Sequence, residues 1–570
     1  MARSAGLHVR QAYFATMRPT QAPRRPVARP AIHVETLVLL VAMFLMAAGN
    51  GPFWRAALAG RAWGESATWL FAGALFTAFA ALYVAAGAAV AGRHTVKPLL
   101  TVLLMVSAAA GYYMDRYAIY LDPAMLRNVL ATNYKEASEL LGWGLALHML
   151  AFGVLPSILV WWPQLKRRSL GRALAVRLAW VGAALGVGLG SLMLVFADVA
   201  SLMRNHTEVR YLITPGNIVA SLARNAWGRA KRPNQPKVPV ATDAKLGPAW
   251  STRTRPALFV LVVGETARAQ NFSLNGYARD TNPQLARRDI INFPHAQACG
   301  TSTEVSLPCM FSPFGRRHYD EEKILTHESL LHVLARAGFK VLWRDNQSGC
   351  KGVCEGLPAE QLDHDKAAEL CPQGQCLDEI LLNGMDGIAR DTRGNLFVVM
   401  HQLGSHGPAY FKRYPAAFKR FTPACETEDL HRCSAAEIVN AYDNSLLYTD
   451  FVLGKVIDFL DRAQTTHDTA LLYVSDHGES LGENGLYLHG MPYAIAPDVQ
   501  KNVPFVVWLS PAFRRDFGVS QECMRAGASQ PVSHDSLFHS LLGVLDVRTT
   551  AYDAQMDLFA ACRGAKGTGG

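Results

Sequence analysis

The sequence predicts two dissimilar parts in one chain: five membrane-spanning helices, then an α/β domain on a doubly wound, mostly parallel sheet. Three observations lead there. Residues 34–200 hold five long apolar runs; residues 257–570 hold five short apolar β runs separated by helical stretches; all ten cysteines fall in the second part. A length of 570 residues also exceeds one ordinary domain. The net charge of +10 comes from basic residues that are scattered or flank apolar segments. That pattern argues against nucleic acid and for contact with anionic lipid surfaces.

The spans are expected at about 34–51, 67–92, 97–114, 143–162 and 174–197, each near the length that crosses a bilayer. The first is not a signal peptide, since more than thirty residues precede it and four further spans follow. The tail, residues 1–33, carries Arg3, Arg10, Arg18, Arg24, Arg25 and Arg29. The connection between the fourth and fifth spans carries Lys166, Arg167, Arg168, Arg172 and Arg177. Both belong in the cytoplasm by the positive-inside rule, so an odd number of spans leaves everything after Ala200 outside. Within the membrane domain, 34–200, residues 115–140 form a polar external connection. There Tyr120, Met125, Leu126, Val129, Leu130 and Tyr134 make an apolar stripe at helical spacing, which suits an interfacial helix or one packed on the soluble domain. Residues 201–256 read as a bridging helix and a Pro- and Lys/Arg-rich linker, and residues 257–570 as the external α/β domain.

An even cysteine count confined to the external part predicts disulfides. Neighbouring partners are the simplest arrangement: Cys299–Cys309, Cys350–Cys354, Cys371–Cys376, Cys425–Cys433 and Cys523–Cys562. Reduced, buried cysteines in a cytosolic domain are the bland alternative. The β runs are 257–268, 339–346, 395–408, 469–480 and 502–510, with helices such as 327–337 and 436–463 between them. Ligands of such sheets bind beyond the carboxyl ends of the strands, which is where Glu265, His406, Asp476 and His477 would gather.

Glu, Asp and His are oxygen and nitrogen donors suited to zinc, and the cysteines are engaged elsewhere. Zinc beside a hydroxyl favours its alkoxide form and so makes a nucleophile near neutral pH. Spacing leaves both Thr266 and Thr303 open as that nucleophile. His401 stands inside a strand and reads as packed, and Asp535 precedes an apolar helix as an N-cap; neither His401 nor His534–Asp535 is placed among the ligands.

The segments VVGETARAQNFSLNGYARDTNP (262–283), CGTSTEVSLPCMFSPF (299–314), WRDNQSGCKGVC (343–354), GSHGPAYFKRYP (404–415), SDHGESLGENGLYLHG (475–490) and PVSHDSLFHSLLG (531–543) follow one order. They resemble the lipid A phosphoethanolamine transferases, including the mobile colistin-resistance enzymes, of the alkaline phosphatase–sulfatase superfamily. The resemblance covers essentially the whole chain. It implies a sulfatase-like catalytic domain in which Thr303 is the nucleophile and Glu265, Thr303, Asp476 and His477 hold zinc (Zn2+), with a second ion possible. It assigns Thr301, Gln347, Lys351, His406 and His489 to the phosphoethanolamine head group or a second metal, and His406 and His489 to acid–base work. Gln347 departs from the Asn of the family pattern, which bears on that one contact. The formylglycine signature of sulfatases, CxPxR or SxPxR, is absent from the sequence.

The implied reaction is ping-pong transfer of phosphoethanolamine from phosphatidylethanolamine to a phosphate of lipid A in lipopolysaccharide, through a phosphothreonine, by a monomer in the Gram-negative inner membrane. Its product binds polymyxins and other cationic peptides less well. Two other classes are consistent with the residues. One is the same chemistry on core heptose or another glycan, or phosphoglycerol transfer. The other is a non-enzymatic metal-binding membrane scaffold, against which the intact ligand set argues.

Overall fold

A computed structural model describes residues 29–132, 134–230, 236–251, 253–362, 369–372 and 375–564. The basic tail before Arg29 lies outside them. Among the described residues four helices are long and apolar enough to cross a membrane: Ser66–Val90, Val96–Tyr117, Trp143–Trp161 and Leu170–Leu194. The first expected span is instead a pair, Val34–Ala48 and Gly51–Ala57, bent by 59°. Glycines on either side of Asn50 and a proline at position 52 stop the first helix and start the second. The broken backbone is satisfied within the protein, as lipid requires. Asn50 Nδ2 donates to Leu45 O and to Thr214 O, both at 2.9 Å, and its Oδ1 accepts the Thr214 N–H at 2.7 Å. In the fourth span a π-helical turn, Met149–Val154, comes just before Pro156.

Small residues let the spans pack closely: a Cβ added at Gly87 would stand 2.6 Å from Val38 Cγ1, and one at Gly188 would meet Ala81 Cβ at 3.4 Å. The two segments expected in the cytoplasm meet. Ala31–Ile32 pairs in parallel with Gln164–Leu165, and Arg168 donates to the buried Glu35 at 2.8 Å. At the opposite end, Asp122 caps the helix Pro123–Ala131 by accepting the Met125 N–H at 2.7 Å. Of its stripe, Met125 and Leu126 are buried while Val129, Leu130 and Tyr134 are exposed. Helices Phe196–Asn205 and Gly216–Ala230 follow the last span. Beyond them the expected linker is fastened down: Val238 bridges to His327, and Lys245–Leu246 pairs with Val547–Arg548.

The central sheet has eight strands, in chain order β1 (Ala257–Gly264), β2 (Ile290–Gln297), β3 (Lys340–Asp345), β4 (Ala359–Gln361), β5 (Leu396–His401), β6 (Asp468–Ser475), β7 (Asn502–Leu509) and β8 (Val532–Ser533). Their order across the sheet is β8-β2-β7-β6-β1-β5-β3-β4. β7 is antiparallel to both neighbours and the other adjacent pairs are parallel. β1 shows why the apolar runs are continuous: Phe259, Leu261 and Val263 enter the core on one face, and Leu258, Val260 and Val262 enter that on the other. All five disulfides pair as expected, and no described cysteine is free.

Candidate metal centre and nucleophile

The carboxyl ends of β1 and β6 lie side by side, with Asp476 N donating to Gly264 O at 2.9 Å. This brings Glu265, Asp476 and His477 together, all fully buried. The neighbouring Thr266 has φ of 54°, an unfavourable conformation for a β-branched residue. A Cβ at Gly404 would stand 2.6 Å from Glu265 O, so only glycine lets that loop pass.

Thr303 is the first residue of the helix Thr303–Met310. Its loop is closed by the Cys299–Cys309 disulfide and tied to β6 by Ser306, whose hydroxyl donates to Asp476 O at 2.5 Å. Thr303 Oγ1 lies 3.0 and 3.2 Å from the two Glu265 carboxylate oxygens and 3.3 Å from His477 Nε2. His477 Nδ1 donates to Gly478 O at 2.9 Å, which orients the ring and aims Nε2 at the cluster. Ligand atoms of Glu265, Asp476 and His477 lie within 4.8 Å of one another, as do those of Glu265, His406 and His489, so Glu265 is shared by two groups.

The charges in this buried space constrain each other. Burial raises the Asp476 carboxyl to about 7, reinforced by Glu265 and opposed by His477. Burial works against charge on His477, yet Asp476 and Glu265 outweigh it and hold the imidazole up to about 10. Burial also opposes ionisation of Glu265, but the His477 hydrogen bond and the nearby histidines keep its carboxyl well below the usual range. Asp476 Oδ2 is buried with no hydrogen-bond partner. Two carboxylates, one imidazole nitrogen and a hydroxyl converging here suit a tetrahedral cation site.

The sequence model of the Sulfatase family matches residues 257–547, and that of Phosphoethanolamine transferase EptA/EptB matches residues 75–229. Phosphoethanolamine transferase EptA of Escherichia coli strain K12 is 41% identical over 471 residues, 82% of this chain and 86% of that one. The chain belongs to the phosphoethanolamine transferase family. Phosphatidylethanolamine transferase Mcr-2 of Escherichia coli is 38% identical over 530 residues, covering 91% of this chain and 96% of its own. The integral membrane lipooligosaccharide phosphoethanolamine transferase A (EptA) from Neisseria meningitidis superposes with a TM-score of 0.88 at 36% identity, over 94% of this chain and 99% of that one. The present transferase is accordingly a multi-pass inner-membrane protein with its sulfatase-like domain in the periplasm.

The remaining candidates of the transferase take distinct places. Gln347 Nε2 donates to Glu265 Oε2 at 3.1 Å. Lys351 reaches the cluster through intermediaries: its ammonium donates to Ser348 Oγ at 2.7 Å, and that hydroxyl donates to Gln347 Oε1 at 2.5 Å. Thr301 links two loops, its hydroxyl donating to Met491 O at 2.6 Å and its carbonyl accepting the Gly490 N–H at 2.7 Å. His489 pairs through Nδ1 with Glu479 Oε2 at 3.0 Å, and its ring centroid is 5.2 Å from that of His406. His401 is packed in the core against Asp345, at 2.9 Å. Asp535 is not an N-cap: it lies inside the first turn of its helix and accepts the backbone N–H groups of Arg316 and Arg317. An apolar chamber of about 400 Å³ runs from Tyr113, Met125 and Leu126 of the membrane half to His406 and His489.

Three residues of the transferase have contacts that the sequence reading did not assign. Glu479 orients His489, and the hydroxyl of Tyr410 donates to it at 3.0 Å. Asp378 accepts the Leu403 and Gly404 N–H groups at 2.8 and 2.9 Å, fixing the loop to His406. Glu479 stands between Gly478 and Ser480 and Asp378 between Leu377 and Glu379, so neither carries a local signal. The third, His534, accepts the Cys299 N–H through Nδ1 at 3.1 Å and donates through Nε2 to Ser475 O at 3.0 Å, joining the Thr303 loop to β6.

Burial lowers the His534 imidazole from 6.5 to about 3. Between those values the unfolded chain holds a proton that the folded chain excludes. The stability contributed by neutral His534 is therefore lost as pH falls from about 6.5 towards 3, at up to about 1.4 kcal/mol per pH unit. His534→Asn, whose amide oxygen can take the Cys299 N–H, is expected to unfold with a shallower acid dependence than the wild type. Thermal unfolding of the detergent-solubilised chain at pH 7, 6 and 5 tests this, and parallel slopes would refute it.

Proposed function

We propose that this transferase moves phosphoethanolamine from phosphatidylethanolamine to a phosphate of lipid A through a covalent phosphothreonine at Thr303. The observation that carries this reading is the position of Thr303 Oγ1, within 3.3 Å of both Glu265 oxygens and His477 Nε2 at the carboxyl edge of the sheet. Glu265, Thr303, Asp476 and His477 are the residues that would hold zinc. When bound there, zinc supplies Lewis acidity that favours the threonine alkoxide and offsets phosphoryl charge.

The protein's own groups do the rest. Thr303 Oγ1 attacks phosphorus, the bond to the diacylglycerol oxygen breaks, and that oxygen takes a proton from His406 or His489. A lipid A phosphate oxygen then attacks the same phosphorus and the Thr303 oxygen leaves. Glu479 keeps the His489 ring oriented. Gln347, backed by Ser348 and Lys351, and Thr301 line the approach of the head group. The apolar chamber ending at His406 and His489 supports a diacyl donor. The enzyme acts as a monomer. The added amine lowers the net negative charge of lipid A and weakens its attraction for polymyxins.

Mass spectrometry of lipid A from a susceptible Gram-negative host, with and without the expressed chain, tests the proposal. A phosphoethanolamine adduct is expected only with the chain. Unmodified lipid A beside a well-expressed protein would overturn the acceptor assignment and move the search to core heptose and other glycans.

A further inference from the structure

We infer that Glu139 and Arg413 form a positioning pair through which the membrane half of the chain sets the catalytic His406. Glu139 ends the short helix Tyr134–Glu139, between the third and fourth spans. Arg413 follows the 3-10 turn Tyr410–Lys412 of the soluble domain. Arg413 Nη2 donates to Glu139 Oε2 at 2.5 Å, and Arg413 Nε donates to His406 O at 2.7 Å. The side chains are 1% and 4% exposed, and the more exposed Lys412, paired with Glu428, lies 3.9 Å from the other Glu139 oxygen.

One rigid guanidinium thus holds Glu139 in one hand and the His406 backbone in the other. Its two contacts cannot move independently, because Nε and Nη2 are fixed in one plane. A shift of Glu139 therefore turns the fork and carries the His406 carbonyl with it. A buried ion pair is a poor source of net stability but a good source of defined geometry, and this one joins two parts of the chain at the catalytic edge. A second contact points the same way: Arg127, in the helix Pro123–Ala131, lies 3.8 Å from Glu304, the residue after Thr303. The inference rests on the role proposed above for His406.

The test uses the full-length, zinc-loaded chain in proteoliposomes containing phosphatidylethanolamine and lipid A. Glu139→Gln keeps the shape but not the charge, and Arg413→Lys keeps the charge but not the fork. Both are expected to lower kcat roughly 10- to 100-fold, the effect of a misplacement near 1 Å, with KM for phosphatidylethanolamine unchanged. Zinc content per folded protein should stay at the wild-type value, whereas Glu139→Gln, which leaves a buried guanidinium without its counter-charge, should unfold at a lower temperature. In a His406→Ala background, Glu139→Gln should cost nothing further, as expected when one residue acts through the other. Glu428→Gln is the control and should be fully active.

Wild-type kcat in Arg413→Lys would overturn the inference. So would a Glu139→Gln loss that disappears when rates are normalised to folded, zinc-containing protein, or one that persists undiminished in His406→Ala. Full activity of His406→Ala would overturn both this inference and the role of His406 on which it rests. Loss of activity in His406→Ala with none in Glu139→Gln would overturn the positioning pair alone.

Discussion

Thr303→Ala is expected to lower transfer by on the order of 10⁴-fold or more, the scale seen when a covalent nucleophile is removed. The hydroxyl has no substitute at its place. Thr266 adjoins Glu265, but its backbone is held at φ of 54°, and no hydrogen bond of its Oγ1 to Glu265 or His477 accompanies those of Thr303. Thr303→Ser keeps the oxygen and should retain measurable turnover. The decisive measurement is a quench of the chain with excess phosphatidylethanolamine and no acceptor, followed by peptide mass spectrometry. The wild type should carry a phosphoethanolamine mass on the peptide containing Thr303, and the alanine variant none. A modified Thr266 peptide in both proteins would move the nucleophile to Thr266.

Asp476→Ala is expected to have the second-largest effect, acting on metal retention. Losing an outer partner of a metal ligand typically costs 10- to 100-fold in affinity, and losing a ligand itself should exceed that. Asp476 also holds the cluster together: its Oδ1 accepts the His477 N–H at 2.7 Å, and its backbone joins β1 to Ser306. In wild type, zinc at 100 times its Kd should add about 2.7 kcal/mol of stability over the chelator-stripped chain. The variant should show almost no zinc-dependent stabilisation, with transfer lost in parallel. Calorimetric unfolding with added zinc or chelator reads this directly. Equal zinc stabilisation of the two proteins would remove Asp476 from the ligand set.

Much of the fold was legible because burial on both faces leaves unbroken apolar runs. β1, β3, β5, β6 and β7 were visible for that reason, and the residues that meet at the site stand directly after β1 and β6. β2 was not: Pro294 interrupts it, and its burial alternates because it lies near an edge of the sheet. β4 and β8 are too short to carry a pattern. The bend at Asn50 hid inside an apolar run, since hydropathy does not register which backbone groups a break sets free. At the site, Glu265, Asp476 and His477 follow strand ends, whereas contacts such as Gln347 to Glu265 and Glu139 to Arg413 join residues 82 and 274 positions apart with no local signature. His534 was set aside for the same reason: its neighbours come from Cys299 and Ser475.

The ten cysteines of this chain pair off in chain order, first with second, third with fourth and so on, with separations of 10, 4, 5, 8 and 39 residues. A chain threaded across the inner membrane from its N-terminal side therefore meets the oxidising compartment with its thiols already in the right sequence. Whenever a thiol waits unpaired, the next one to emerge is its native partner. An oxidant that joins thiols as they arrive makes the native set, and wrong bridges that an isomerase would have to undo do not accumulate. Secretion order alone can thus stand in for the search that interleaved bridges demand, so a host needs an oxidising periplasm far more than a specialised one to make this domain.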